Sequence, residues 1–210
     1  MLMATVIGDV VRSRRSADRG ALHARLAEVL VEVNATLDPV TPVRVTVGDE
    51  YQGGFGSVNE AVRATLRLRL ALAPGIDVRH GIGWGEVTVL QEQPRVEDGS
   101  GWWSAREAVH AVHRSEERPG SRLRRTVFRR ADGIEGPDPA TLEAMLILRD
   151  QLVGDLSERS LLVLRGLLAG TTQRQLAHDL DISASAVSQR IRADGLAAVV
   201  AADRALTVVP

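Results

Sequence analysis

The chain contains no cysteine and no lysine, and phenylalanine, tryptophan and tyrosine together make up only 3% of it. Without cysteine there is no disulfide and no thiolate metal site, although this alone does not fix the compartment. Without lysine, amine catalysis and lysine-based reading of a purine are excluded; a GC-rich coding bias explains the arginine-only composition more simply than functional selection. With so few aromatics, the core has to be built from Leu, Val, Ile and Ala. No apolar run reaches membrane-spanning length. The opening `MLMATVIGDVVRSRR` has too short an apolar run, with no basic residue before it, for a secretory signal. A formal net charge of -1 argues against a globally polyanion-binding surface, so any nucleic-acid contact has to be local. A cytoplasmic protein without membrane association is expected.

What is present is an ordinary globular balance: 210 residues, 44% apolar and 25% charged, enough for one large or two small domains. Met3 to Gly8 reads as a short buried strand ending at Asp9. `ALHARLAEVLVEVNATL` carries Leu22, Leu26, Val29, Leu30 and Val33 at helical spacing. Val43–Val47 and Tyr51–Phe55 flank Gly48-Asp49-Glu50 as a hairpin, and Asn59–Ala71 forms a second helix ended by Pro74-Gly75. `IDVRHGIGWGEVTVL` reads as a strand that turns near Gly83–Gly85 and returns; Ser104–Glu117 is a third helix, and `SRLRRTVFRRADG` holds a last strand. The order β-α-β-β-α-β-(β)-α-β predicts an α+β fold of ferredoxin-like, split βαβ type, with helices on one face of a mostly antiparallel sheet. It occupies residues 1–132; `ADGIEGPDPA` supplies a linker at 133–140, and 141–210 is helical in pattern.

In a split βαβ sheet the first strand lies beside the hairpin, so Asp9 and Asp49 are expected to converge. Two such carboxylates repel unless a cation lies between them, and Mg²⁺ or Mn²⁺ takes one or two carboxylates plus phosphate oxygens. The loop after Asp9 offers Arg12, Ser13 and Arg14, leading into a helix N-terminus where phosphates are held. The same spacing also fits a surface cap at Asp9 and a plain turn at Gly48-Asp49. His110 and His113 lie three apart on one helical face but lack a third metal ligand at suitable spacing, so solvated histidines are expected. The basic run from Arg122 to Arg130 reads as a solvated strand face. Trp84, Trp102 and Trp103 cluster near the proposed pocket, with core packing favoured over base stacking.

`IGDVVRSR`, `VTVGDEYQGGF` and `VRHGIGWGEV`, in that order across roughly residues 4–115, resemble three successive motifs of class III nucleotidyl cyclase domains, which share their core with GGDEF and polymerase palm domains. The resemblance implies a cyclase/palm-like domain with Asp9 and Asp49 as metal ligands, a nucleoside triphosphate as ligand, and Arg106 as the arginine that stabilises the transition-state phosphate. Two departures matter. Val45 stands where cyclases carry the purine-reading lysine, and Trp102 where they carry an asparagine. The layout of `GDVVRSR`, `GDEYQGGF` and `GWWSAREAV` also resembles the SatD family of bacterial proteins.

The C-terminal segment reads differently. Ser157 caps a leucine-rich helix that Gly170 ends, and Thr171 or Thr172 caps `QRQLAHDL`. A `DIS` turn and `ASAVSQRIR` follow, with Asp181 in place of the usual turn glycine. The pattern resembles bacterial helix-turn-helix regulators. Its second helix offers Ser183, Ser185, Ser188, Gln189, Arg190 and Arg192 for DNA contacts, although residues 171–204 balance four Arg against four Asp. The leading expectation is therefore a homodimeric DNA-binding regulator whose degenerate cyclase-like domain senses a metal–nucleotide or only dimerises. The alternative is a nucleotide-processing enzyme with an accessory helix-turn-helix. Asp9, Asp49 and Arg106 favour the alternative; Val45 and Trp102 favour the regulator.

Overall fold

A computed structural model describes residues 1–13 and 16–207. Strand β1 (Leu2–Val10) is followed by α1 (Arg19–Leu37), the hairpin β2 (Thr41–Val47) and β3 (Glu50–Phe55), α2 (Val58–Leu72) and β4 (Val78–Glu86). A small hairpin, β5 (Thr88–Glu92) and β6 (Arg95–Asp98), precedes α3 (Ser100–Glu116) and β7 (Thr126–Arg130). The main sheet has the order β2-β3-β1-β4-β7, antiparallel except for the β4–β7 pair. Its first four strands have the split βαβ arrangement expected, with β3 inserted between β1 and β2.

Local chemistry accounts for the element ends. Gly48 takes φ +64° in the β2–β3 turn, a conformation open to a residue without Cβ. Ser57 and Glu60 form a reciprocal capping box that starts α2. Asp18, Asp138, Ser157, Thr172 and Ser183 each accept a backbone N–H at a helix start.

Helices cover both faces of the sheet, not one. Ala4, Val6 and Val10 of β1 join Leu26, Val29 and Leu30 of α1 and the apolar side of α2 in the larger core. Met3 and Ile7, on the opposite side of the same strand, pack with Trp102, Ala105 and Val109 of α3. The glycines of β4 explain the difference. Gly81, Gly83 and Gly85 alternate along the strand and all face α3; a Cβ on any of them would come within 2.3, 2.2 and 2.6 Å, respectively, of α3 backbone atoms. The glycines therefore admit a helix against the sheet, and β4 runs straight through the predicted turn to Glu86. The reversal comes later, between β5 and β6.

Five helices follow β7: α4 (Pro139–Gly154), α5 (Glu158–Leu168), α6 (Gln173–Asp179), α7 (Ala184–Ala193) and α8 (Leu196–Ala205). Asp181, between α6 and α7, has φ 50°, the left-handed conformation expected there. Val163, Leu164, Leu176, Val187 and Leu196 centre a second core, which takes in Leu66 and Leu70 of α2. Leu146 of α4 belongs in turn to the larger core. Among the described residues no helix is long and apolar enough to cross a membrane.

Candidate functional site

The C-terminal end of β1, the β2–β3 turn and the far half of α3 enclose an open, polar cleft of about 690 Å³. Asp9, Arg12, Asp49, Glu50, Arg79 and His113 line it. Asp9 lies on the α3 side of the sheet, directly paired in register with Arg79 of β4. Its Oδ1 accepts from Arg79 Nη1 at 2.7 Å, and its Oδ2 lies 2.6 Å from His113 Nε2. Asp49 reaches back from the hairpin tip, and its Oδ2 accepts from the backbone N–H of Val10 at 3.2 Å. The hairpin tip is thereby tied to the residue that follows Asp9. Glu50 forms a bidentate pair with Arg106, one arm of which is Nη2 to Oε1 at 2.8 Å. That hydrogen bond, ahead of the cost of burial, raises the Arg106 guanidinium above its ordinary range.

Arg106 is therefore held by a carboxylate, at the edge of the cleft. Arg12 and Ser13 line the cleft together with Arg19 from the start of α1, while Arg14 lies outside the described residues. Among the described residues Arg12 and Arg19 form no ion pair, so they are the cations left for an anionic ligand. The expected anion site at the α1 N-terminus is partly taken, because Asp18 Oδ1 already accepts from Ala21 N at 2.8 Å.

Arg79 escaped the sequence reading, and His113 was expected there only as a solvated histidine. His113 is no idle solvated histidine but a partner of Asp9. Its signal was spacing: it follows Arg106 by two helical turns and so shares its face. Arg79 could be found only by pairing β1 with β4. It also holds Glu116 in a bidentate pair at 2.9 and 2.8 Å. From there ion pairs continue through Arg125 (3.1 Å), Asp77 (2.7 Å) and Arg69 (3.8 Å) to the buried Asp150 of α4 (3.4 Å). The expected cluster of tryptophans at the pocket is absent. Trp102 is buried beneath α3, Trp103 is exposed and donates to Asp98, and Trp84 donates to the carbonyl of Glu135.

Whether the residues fit a divalent ion is answered by the donor set. Among the described residues no three His, Asp or Glu side chains are grouped to hold one. Among the described residues Asp49 Oδ1 has no hydrogen-bond partner, whereas both oxygens of Asp9 are engaged by Arg79 and His113. Such a set suits an ion that keeps its waters and arrives with phosphate oxygens, rather than a resident metal.

On the proposed DNA-contact face, Ser183 is the α7 cap and lies 2.8 Å from the Ser185 hydroxyl. Arg192 donates to Ser188 at 2.9 Å, and Gln189 is exposed. Arg190 turns inward, donating to the Ser160 hydroxyl at 3.2 Å and to Ser157 at 3.3 Å. One of the two arginines expected to read DNA is thus occupied within the protein.

Strand order and register define a split βαβ α+β architecture, with the acidic hairpin tip beside the end of β1. The chain belongs to the SatD family, whose profile matches residues 3–207. No curated protein matches it. Among solved structures, the catalytic core of a rhodopsin–guanylyl cyclase with converted specificity, in complex with ATPαS, is 19% identical over 52% of this chain and 71% of that one, with a TM-score of 0.44. The guanylate cyclase domain of RhGC from Catenaria anguillulae, in complex with GTP, is 16% identical over 52% and 72%, with a TM-score of 0.41. A bacterial light-regulated adenylyl cyclase is 12% identical over 61% and 76%, with a TM-score of 0.45. At these identities and scores the likeness says nothing about activity. Neither these relatives nor the family match supports a DNA-binding role.

Proposed function

We propose that the protein is a nucleotide-processing protein whose polar cleft takes a nucleoside triphosphate together with Mg²⁺ or Mn²⁺. The observation that carries this reading is the bond from Val10 N–H to Asp49 Oδ2, which draws the hairpin tip against the end of β1 in a cleft shared with Arg12 and Arg19. Asp49, joined by Asp9 once His113 releases it, would hold the ion, which when bound offsets the phosphate charge. Arg12 and Arg19 bind the phosphates and Ser13 donates its hydroxyl. Arg106, paired with Glu50 at the edge of the cleft, would reach a phosphoryl group only on leaving that carboxylate. Cyclisation is not part of the reading, because Trp102 is buried in the α3–sheet core and cannot orient a ribose, and Val45 is apolar. Residues 141–210 act as an accessory helical part.

The test is a thermal-shift titration with Mg²⁺ or Mn²⁺ alone, each common triphosphate alone, and the two together. Binding to the folded state raises Tm by linkage. Metal plus triphosphate is expected to give the largest rise. Asp49→Asn, which keeps an acceptor for Val10 N–H, is expected to remove the metal-dependent part. Product analysis should find no cyclic nucleotide above background, and light scattering in the same samples tests the expected homodimer. No stabilisation by any triphosphate at millimolar concentration, with either ion, rejects the reading.

A further inference from the structure

A second cavity lies well away from the polar cleft, where α2, α4 and α8 meet. It encloses about 420 Å³, within the range of pockets that hold small molecules. Its walls are almost wholly apolar: Val62 and Leu66 from α2, Met145 and Leu148 from α4, Val199 from α8 and Leu206 just after it. It stays open because Ala144, Ala198 and Ala202 stand where larger side chains would fill it. Leu148 is 72% exposed although it lines the cavity, and the adjacent Ile147 is 46% exposed. An apolar groove open in this way leaves hydrophobic surface in water that a bound apolar group would cover.

Charge at the mouth specifies the occupant. Arg63 and Arg67 of α2 both pair with one carboxylate, Asp203 of α8, at 3.3 and 3.0 Å. Two guanidiniums on one carboxylate leave one positive charge over. Arg63 uses only Nε for Asp203, so among the described residues both of its Nη groups are without a protein acceptor. The nearest acid on the same helix, Glu60, is turned back into the α2 capping box. Arg149, at the other side of the cavity, is fully committed by its Nη groups to Val62 O, Thr65, Thr126 and Asp150.

From the apolar walls and the unneutralised Arg63 we infer that this cavity binds a small anionic amphiphile, a medium-chain carboxylate, with its aliphatic tail between α4 and α8 and its carboxylate on Arg63. The tail removes the exposed apolar surface of Leu148 from water, and the head completes the guanidinium. The site is independent of the polar cleft and of any nucleotide.

The experiment uses the full chain and decanoate below its micellar concentration, with decanol and anionic phospholipid vesicles as separate arms, read by calorimetry and vesicle co-sedimentation. Decanoate is expected to bind about tenfold more tightly than decanol, the increment of one charge-assisted hydrogen bond. Arg63→Gln should remove that increment and leave decanol binding unchanged. Ala202→Phe and, independently, Ala198→Phe should fill the cavity and abolish both ligands; the alanines are exposed at the wall, and an unchanged urea midpoint identifies a folded variant. Absence of decanoate binding overturns the proposal. So does decanoate binding that survives both phenylalanine variants, or recruitment to vesicles with no binding of free decanoate.

Discussion

The phenol of Tyr51 lies 2.7 Å from Nε2 of His80, and the bond passes directly over Gly8 on the strand between them. Both side chains are fully buried, with ring centroids 5.8 Å apart in an edge-on arrangement. Three strands are thus stitched by two side chains and the absence of a third. A Cβ at position 8 would sit 2.4 Å from the Tyr51 ring. Gly8→Ala is expected to destabilise the fold by about 1–3 kcal/mol, because the ring can move only by breaking its bond to His80. Tyr51→Phe should cost a comparable ~1–3 kcal/mol by leaving His80 Nε2 unpartnered. Urea denaturation of both variants checks this, and a midpoint equal to wild type for Gly8→Ala would show that the ring has room to shift.

Burial, with Arg149 and Arg69 adding to it, holds the His80 imidazole well below its ordinary value, so it is neutral in the folded protein. The unfolded chain binds a proton there near pH 6.5, and the folded chain does not until lower pH. Stability from this group is therefore complete above about 6.5 and is lost as pH falls from there toward the folded value, at up to about 1.4 kcal/mol per pH unit. Chemical denaturation at pH 7.5 and 5.5, for wild type and His80→Gln, isolates the contribution. Equal pH slopes in the two proteins would refute it.

Asp150 is 1% exposed and accepts from the backbone N–H of Arg125 and Thr126 at 2.7 and 2.6 Å while facing Arg69 and Arg149. Asp150→Ala leaves two buried guanidiniums without this carboxylate and two amides without an acceptor. The expected loss is about 3–5 kcal/mol. Amide exchange at Thr126 should accelerate in step with the global loss, whereas a loss below ~1 kcal/mol would mean that the ion pairs contribute little beyond their own desolvation.

Gly83→Ala would drive a Cβ to 2.2 Å from the carbonyl of Gly101 and 2.4 Å from the amide of Ala105. Backbone cannot give way as a flexible side chain does, so a loss of about 3 kcal/mol is expected. Gly120→Ala, with nothing within 4 Å, is the control and should be neutral or slightly stabilising. Similar midpoints for the two variants would contradict the close seat of α3.

The parts of the fold legible in the sequence were those with local causes. The hairpin followed from Gly48-Asp49 between short apolar runs, the end of α2 from Pro74-Gly75, and the left-handed Asp181 from its place between two helices. What stayed hidden depends on contacts between distant segments. Glycine at alternate positions of β4 has the same local chemistry whether the chain turns or a helix lies upon it. The pairing of Asp9 with Arg79 needs the β1–β4 register, and that of Glu50 with Arg106 needs to know which face α3 takes. Arg190 had the composition of a DNA-reading residue, yet the serine hydroxyls at the start of α5, some thirty positions earlier, hold it.

For anyone retargeting the cleft, the bare face of β4 divides what can be changed from what cannot. Arg106 and His113 stand on a helix whose height is set by three glycines, so their reach toward Glu50 and Asp9 behaves as one rigid setting rather than two. Substituting the tips of these side chains explores new ligands at small structural risk. Enlarging any residue on the rail beneath them would lift both at once.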